Sequence, residues 1–224
     1  MYDNMLLEYD IDDIIGLTVK QIENNFFKLK NEEKNILYGA IKKALEKCSV
    51  CFSECTNKYY EKDGRIYFNI LHSGQNTVYL YYLSKVLYAD FRNIKLATYV
   101  YYLNKIMNSV DLFYEIDLPN VMIFEHPVGT VLGRAQYSEK LVIYQNCTIG
   151  GNKNKYPSIG KNVTLYSYAC VLGESNIGDN CIIASHTYIK DTDIPSNSIV
   201  FGSSPNLIIK PTEETIEWRS IERN

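Results

Sequence analysis

The sequence predicts an α+β protein, in which an N-terminal α-helical domain is followed by a parallel β-helix built from hexapeptide repeats. The first half of the chain repeats apolar residues three and four positions apart, which is the period of an amphipathic helix. The second half repeats an apolar residue at every sixth position, which is typical of a solenoid. We place the helical domain at residues 1–111, the β-helix at 112–211 and a tail at 212–224.

The helical half divides into two blocks. Residues 11–47 carry the helical period, with charged residues between the apolar positions. The stretch RIYFNI at 65–70 has the composition of a short strand. Residues 77–110 are rich in tyrosine at spacings that suit two packed helices, and aromatic stripes of this kind usually lie in a core or a subunit interface.

The hexapeptide period runs without a break from residue 159 to residue 194. Its first position is always aliphatic, and its fifth is small or β-branched except at Asp193. In a β-helix the first residue of each hexad points into the core, and Gly or Asn at the turns allows backbone conformations that other side chains resist. The first positions are Ile159, Leu165, Val171, Ile177, Ile183 and Ile189, and Val131, Tyr137, Ile143 and Ile149 keep the same step upstream.

An extra loop interrupts the repeat. Ile149 and Ile159 are ten residues apart rather than six, so the segment GGNKNKYPS at 150–158 must bulge from the regular coil. Insertions in repeat proteins often build the binding face. The loop is therefore a candidate for ligand recognition.

The charge balance and hydropathy exclude two classes of partner. Twenty-three basic residues against 26 acidic ones give a formal charge of −3, so no positive excess marks the chain for nucleic acid. No apolar run approaches the roughly 20 residues that span a bilayer, and the first residues are acidic where a signal peptide is basic. We therefore expect a cytoplasmic protein without a membrane span.

The cysteines predict buried thiols rather than a metal site. Cys48, Cys51 and Cys55 share one face of a helix, but no second Cys or His pair lies nearby to complete a tetrahedral site. Free cysteine behaves as a small hydrophobic residue. A metal-using β-helix hydrolase of the carbonic anhydrase type would need three converging histidines, and the three in this chain have scattered contexts. We expect no metal.

The β-helical half carries a distinctive order of motifs. EHPVGTVLG at 125–133 is followed by NCTIGGNK at 146–153, YPSIG at 156–160, the regular hexads, and FGSSPNLIIKP at 201–211. In this order the motifs resemble the serine acetyltransferase group of left-handed β-helix acyltransferases. The resemblance implies transfer of an acetyl group from acetyl-CoA to a hydroxyl, at sites in the grooves between neighbouring prisms. The bare side faces of a single prism predict a homotrimer or a dimer of trimers.

His126 is the candidate general base. A neutral alcohol is a poor nucleophile, so attack on a thioester needs a base that titrates near neutrality, and histidine is the side chain that does so. Of the three histidines, His126 stands where the resemblance places the base. The alternative is a structural role for its ring. His186 is expected at the surface or at a subunit contact, and the role of His72 stays open.

A carboxylate that fixes the tautomer of the ring improves a general base. The resemblance places an aspartate upstream in a D-I-H-P context, which leaves Glu115 and Asp117 in YEIDLP as rivals, and we favour Glu115. Glu125 adjoins His126, and neighbours on an extended chain point to opposite faces, so Glu125 is poorly placed to orient the ring. By the resemblance, Glu125 contacts the acceptor instead.

The resemblance also implies residues for the oxyanion and for the cofactor. Gly150 and Gly151 would supply backbone N–H groups to the oxyanion, and a purely structural glycine turn at the extra loop is compatible with this role. A lysine near the C-terminus is more often only solvated, so a contact between Lys210 and a CoA phosphate has a plain alternative. The residues implied in binding acetyl-CoA are Ala184, Ser185, Gly202, Ser203 and Lys210.

The acceptor is predicted from the extra loop. The resembling enzymes have D-R-H-P there, whose arginine and histidine hold the amino acid, whereas this chain has Lys155, Tyr156 and Pro157. Lysine lacks the bidentate fork of arginine. We therefore predict an O-acetyltransferase for a sugar or another small hydroxyl acceptor of surface polysaccharide biosynthesis. The alternative is a serine O-acetyltransferase of cysteine biosynthesis, and the alternative from another class is a non-catalytic hexapeptide scaffold that binds a ligand in its trimer groove.

Overall fold

The computed structural model describes residues 4–213, which form two compact units at residues 4–108 and 109–213. Residues 214–224 of the predicted tail lie outside the described residues. Each unit has its own hydrophobic core. The first unit is helical and the second is built of short strands, in the order that the sequence predicts.

Within residues 4–108 the first unit contains four α-helices and one small sheet. The predicted helical block at 11–47 becomes two helices, because the chain breaks at residues 26–30. The predicted strand RIYFNI is found at the centre of the sheet, whose order is β1–β3–β2. The elements are β1 (Met5–Leu7), α1 (Ile11–Asn25), α2 (Asn31–Ser53), a 3-10 turn (Lys58–Tyr60), β2 (Glu61–Lys62), β3 (Arg65–Phe68), α3 (Ser73–Ala89) and α4 (Ile94–Asn108).

The core of the first unit contains the cysteine cluster and most of helix α3. Cys48, Cys51 and Cys55 are fully buried, as the sequence predicts. Burial raises the pKa of the Cys48 thiol well above its usual value, so this thiol stays protonated at neutral pH. His72 precedes α3 and caps it, since its Nδ1 accepts a hydrogen bond of 3.3 Å from the backbone N–H of Gln75. The open role of His72 is therefore that of a helix cap.

None of the helices within residues 4–213 has the length and apolar character needed to cross a bilayer. Over the same residues, no three His, Cys, Asp or Glu side chains converge as a metal site would require.

The second unit is a parallel β-helix with three faces, and this confirms the predicted left-handed β-helical fold. Each face stacks strands from successive coils, and an antiparallel hairpin of β16 (Ser198–Ser203) and β17 (Asn206–Pro211) follows the last coil. Face 1 holds β7 (Gln136–Tyr137), β10 (Ser158–Ile159) and β13 (Asn176–Ile177); face 2 holds β5 (Met122–Glu125), β8 (Leu141–Tyr144), β11 (Val163–Leu165) and β14 (Ile182–Ile183); face 3 holds β4 (Asp111–Leu112), β6 (Val131–Leu132), β9 (Thr148–Gly150), β12 (Cys170–Leu172) and β15 (Tyr188–Lys190).

The hexapeptide period describes the core of this unit. All six first positions are at most 3% exposed, and the small or β-branched fifth positions are fully buried. Asp193, where the fifth position fails, is exposed. The buried residues are Ile159, Leu165, Val171, Ile177, Ile183 and Ile189 at the first position, and Val163, Ala169, Ser175, Cys181 and Thr187 at the fifth.

The upstream extension of the period is wrong at Val131. Val131 is 41% exposed, whereas Leu132 is 2% exposed and pairs in register with the buried Ile149. Leu132 and Tyr137 are only five positions apart, so the step of six slips by one at this point. Because alternate residues of a strand point to opposite faces, a shift of one residue exchanges the buried and exposed sets.

The corners of the prism are formed by residues with a left-handed backbone. Asn162, Asn180 and Asn197 have φ between 55° and 58° at the corner between faces 1 and 2. Their side-chain amides form a column, in which Asn162 donates to Asn180 and Asn180 to Asn197, each at 3.0 Å. Asparagine tolerates this conformation better than most residues, so the sequence chooses the turn residue and the turns stack.

The register at face 3 can be tested with a matched pair of substitutions. Val171→Ala removes two methyl groups from the core and should lower the free energy of unfolding by about 1–3 kcal/mol. Val131→Ala, on the same face but exposed, should change it by less than about 0.5 kcal/mol. Urea denaturation followed by circular dichroism measures both, and an equal loss in the two variants would contradict the register.

Candidate active site

His126 lies at the corner between faces 2 and 3, directly after β5. Its ring is exposed, so it does not fill space in the core. Within the described part of the chain, no hydrogen bond or ion pair engages the ring. The backbone φ of His126 is 51°, but Asn146, Tyr168 and His186 adopt similar values at successive turns. The left-handed conformation is therefore a requirement of the turn. We call these four residues the His126 corner.

Two of the residues implied in binding CoA follow β14 and lie on the same corner. The hydroxyl oxygens of Ser185 and Ser167 are 3.1 Å apart, and the N–H of Ala184 donates to the carbonyl of Val200 at 3.0 Å. Beside them the His186 ring stacks on Tyr168, with 4.7 Å between centroids and an interplanar angle of 5°. The predicted surface position of His186 agrees with its exposure. The corner thus carries an exposed imidazole at one end and a wall of aromatic rings further along.

Glu125, the candidate acceptor ligand, is the last residue of β5 and immediately precedes His126. It is half-buried and pairs in register with Tyr144 on the next coil. Burial raises the pKa of Tyr144, and the neighbouring Tyr166 and Glu125 add to this shift. The Glu125 carboxyl group is therefore next to the His126 corner and close to the neutral phenol of Tyr144.

Glu115 and Asp117 line an open cleft of about 450 Å³ at the corner between faces 3 and 1. No hydrogen bond or ion pair joins either of them to His126 within residues 4–213. The reason is geometric, because His126 precedes face 3 whereas the two acids follow it on the preceding coil. A single chain therefore does not bring the candidate base and its rival partners together.

Arg134 lies in the same cleft and was missed by sequence reasoning. It directly follows Gly133 and lines the cleft with the two acids. Arg134 is the only arginine between residues 109 and 213, and it comes immediately after the EHPVGTVLG motif. These two facts were a signal that the sequence offered.

The glycine pair lies where the extra loop leaves face 3. Gly150 ends β9, and its carbonyl accepts a hydrogen bond of 3.1 Å from the N–H of Gly173. Gly151 is the first residue beyond the strand, and a Cβ there would lie 2.6 Å from the Tyr156 ring. The ring of Tyr156 therefore packs directly on Gly151. A Cβ on Gly133 would lie 3.5 Å from the Cα of Gly150, so the cleft and the glycine pair adjoin.

The extra loop is held by a tight turn and an ion pair. Asn152 and Lys155 exchange two backbone hydrogen bonds of 2.9 Å. The Lys155 ammonium lies 2.9 Å from a Glu174 carboxylate oxygen, and the two side chains are 57% and 63% exposed. Exposed pairs of this kind contribute little to stability. The pair nevertheless means that Lys155 already has a carboxylate partner. We call the group formed by Glu115, Asp117, Arg134 and the extra loop at residues 150–158 the loop corner.

The remaining residues implied in binding CoA lie in the final hairpin. Gly202 has a φ of 90°. Ser203 pairs in register with Tyr188, which lies two residues after His186. The Lys210 ammonium is exposed and lies 5.9 Å from the centroid of the Phe201 ring. The hairpin thus brings Ser203 alongside face 3, while Ala184 and Ser185 lie at the His126 corner.

Part of the repeat matches a known family model. The family described as bacterial transferase hexapeptide (six repeats) matches residues 156–191. A serine acetyltransferase of Staphylococcus xylosus is 25% identical over 144 residues, which are 62% of this chain and 65% of that protein. The chain spans about half to two thirds of the length of the curated relatives that it matches.

The fold is shared with solved serine acetyltransferases. The enzyme of Neisseria gonorrhoeae superposes with a TM-score of 0.69 at 18% identity, covering 92% of this chain and 82% of that one. The enzyme of Brucella abortus strain S19, solved in complex with coenzyme A, gives a TM-score of 0.67 at 17% identity, covering 93% and 85% of the two chains. In sequence and in fold, the chain is similar to serine acetyltransferases, and part of its repeat matches the hexapeptide transferase family.

Proposed function

We propose that the protein is an acetyl-CoA-dependent O-acetyltransferase that transfers the acetyl group to the hydroxyl of L-serine. The observation that carries the proposal is the similarity to serine acetyltransferases in sequence and fold, together with the exposed ring of His126, which no hydrogen bond or ion pair engages within residues 4–213. The loop residues Lys155 and Tyr156 alone favour a sugar acceptor over serine. The curated relatives described above are serine acetyltransferases, and they support serine over a sugar as the acceptor. A cytoplasmic location fits an activity that consumes acetyl-CoA.

His126 would act as the general base in one direct transfer. A ring nitrogen accepts the proton of the acceptor hydroxyl while the oxygen attacks the thioester carbonyl. Collapse of the tetrahedral intermediate breaks the carbon–sulfur bond, and the protonated ring returns its proton to the departing thiolate. The Gly151 amide is the better candidate donor to the oxyanion, because Gly150 still belongs to strand β9.

We propose that each site takes residues from two protomers of a homotrimer or a dimer of trimers. The His126 corner and the loop corner lie at opposite ends of face 3, so one chain carries two half-sites. Exposed apolar side chains flank the His126 corner, and Val128 and Tyr168 are 57% and 52% exposed. Covering them with the loop corner of a second copy would also bring Glu115 or Asp117 to His126.

A sugar or another small hydroxyl compound is the second candidate acceptor. It is favoured by the loop, in which Lys155 is already paired with Glu174 and Tyr156 packs on Gly151. Thiol release from acetyl-CoA should be measured with L-serine, sugars and nucleotide sugars as acceptors. We expect release with L-serine. Binding of CoA without release on any acceptor would support the non-catalytic scaffold instead.

His126→Asn should lower kcat by about 100- to 10,000-fold, because positioned proton transfer contributes that much. The dissociation constant of CoA should stay close to the wild-type value, which equilibrium binding measures. A His126→Asn variant that turns over at the wild-type rate would remove the general base from the mechanism.

Mixing two inactive variants tests whether sites are shared between protomers. One variant carries His126→Asn, and the other carries Glu115→Gln together with Asp117→Asn. Each site is assumed to use His126 of one chain and the carboxylates of another. In an equal mixture about half of the chains keep His126 and about half keep the carboxylates, so roughly a quarter of the sites are intact. Co-expression at equal amounts should therefore restore roughly a quarter of the wild-type activity. Differently tagged chains allow purification of the mixed oligomer, and no recovery of activity would contradict shared sites.

A further inference from the structure

We infer that Arg134 binds a carboxylate of the acceptor, which makes the cleft at the loop corner selective for an amino acid over a sugar. The inference rests on the proposed function, since it names the group that would read the acceptor. It assigns a specificity role to a residue that the motifs of the sequence did not single out.

The Arg134 guanidinium is available for a ligand. It is exposed on the wall of the 450 Å³ cleft, and no hydrogen bond or ion pair engages it within residues 4–213. The backbone at the root of the side chain is fixed, because the N–H of Gly133 donates to Ile149 at 2.7 Å and its carbonyl accepts from the Tyr137 hydroxyl at 2.8 Å. The side chain therefore projects from a rigid point into an open site.

The cleft presents charges of both signs. Glu115 and Asp117 line it with Arg134, and Arg134 forms no ion pair with either acid within the described residues. A zwitterion matches such a lining, with its carboxylate at the guanidinium and its ammonium near a carboxylate. A neutral sugar offers neither charge, so it would gain no charge-assisted hydrogen bond from Arg134.

Lys155 is the competing cation at this corner, and its situation differs. Its ammonium is held 2.9 Å from Glu174, so a carboxylate ligand would have to displace an existing partner. Lysine also offers a point charge, whereas the planar guanidinium binds both oxygens of a carboxylate. Both the free charge and the geometry favour Arg134.

The position of Arg134 also suits transfer chemistry. Gly133 approaches Gly150 so closely that a Cβ would lie 3.5 Å from the Gly150 Cα, and Gly151 follows directly. A carboxylate on Arg134 would thus anchor an amino acid beside the candidate oxyanion amides. Arg134 acts here as a ligand of the acceptor and takes no part in proton transfer.

Equilibrium binding to the full chain saturated with CoA tests the inference. The probes are L-serine and L-serinamide, which differ in the carboxylate. Arg134→Gln should weaken L-serine binding about 10- to 100-fold, the range expected for charge-assisted hydrogen bonds, and should leave L-serinamide binding unchanged. Arg134→Lys should give an intermediate loss for L-serine. Lys161→Gln, which removes one exposed positive charge elsewhere on the β-helix, should change neither.

Each outcome separates the inference from the proposed function. Equal binding of L-serine to the wild type and to Arg134→Gln overturns the inference, as does an equal loss for both probes or no L-serine binding by the wild type. If the wild type binds L-serine through Arg134 but releases no thiol, the proposed function fails and the inference stands. Unchanged CoA binding by the variants shows that they are folded, and Arg134→Lys provides the test should Arg134→Gln not fold.

Discussion

The stacking of one buried residue on its equivalent in the next coil is the constraint on which the second unit depends. Ile159 pairs with Ile177 eighteen residues later, and Leu165 pairs with Ile183 at the same interval. Each coil therefore consists of three hexads, whose first residues fill the centre of the prism. Because the interior is closely packed, the corners recur at a fixed spacing, and their side chains meet in columns such as that of Asn162, Asn180 and Asn197.

The candidate site lies where this regularity fails. The step of six slips by one between Leu132 and Tyr137, and the segment from Gly151 to Pro157 departs from the coil altogether. Both irregularities occur at the loop corner, so the cleft and the extra loop are neighbours. A rigid repeat supplies the scaffold, and its exceptions supply the concave surface and the exposed guanidinium of Arg134.

The hexapeptide period predicted which side chains are buried in the core, but it did not predict which corner residues lie close together in space. An aliphatic residue at every sixth position over six successive repeats identifies the core, because a buried stack of side chains tolerates few other residue types. The separation of His126 from Glu115 and Asp117 was not predictable. Glu115 and Asp117 lie eleven and nine residues before His126, so the sequence suggests that they are neighbours. In a prism with three faces, however, the two acids and His126 lie at opposite ends of face 3. The ion pair between Lys155 and Glu174, which are nineteen residues apart, likewise forms because successive coils stack on each other.

The two cations of the loop corner show how electrostatics divides structural from recognition roles. A lysine that is ion-paired with its own chain fixes the loop, and any ligand that it binds must first replace Glu174. An arginine without such a partner is solvated in the free protein and exchanges only water for a ligand. A site that recognises charge must keep its charges unpaired until the ligand arrives, so the specificity of this cleft follows from Arg134 having no partner within the described chain.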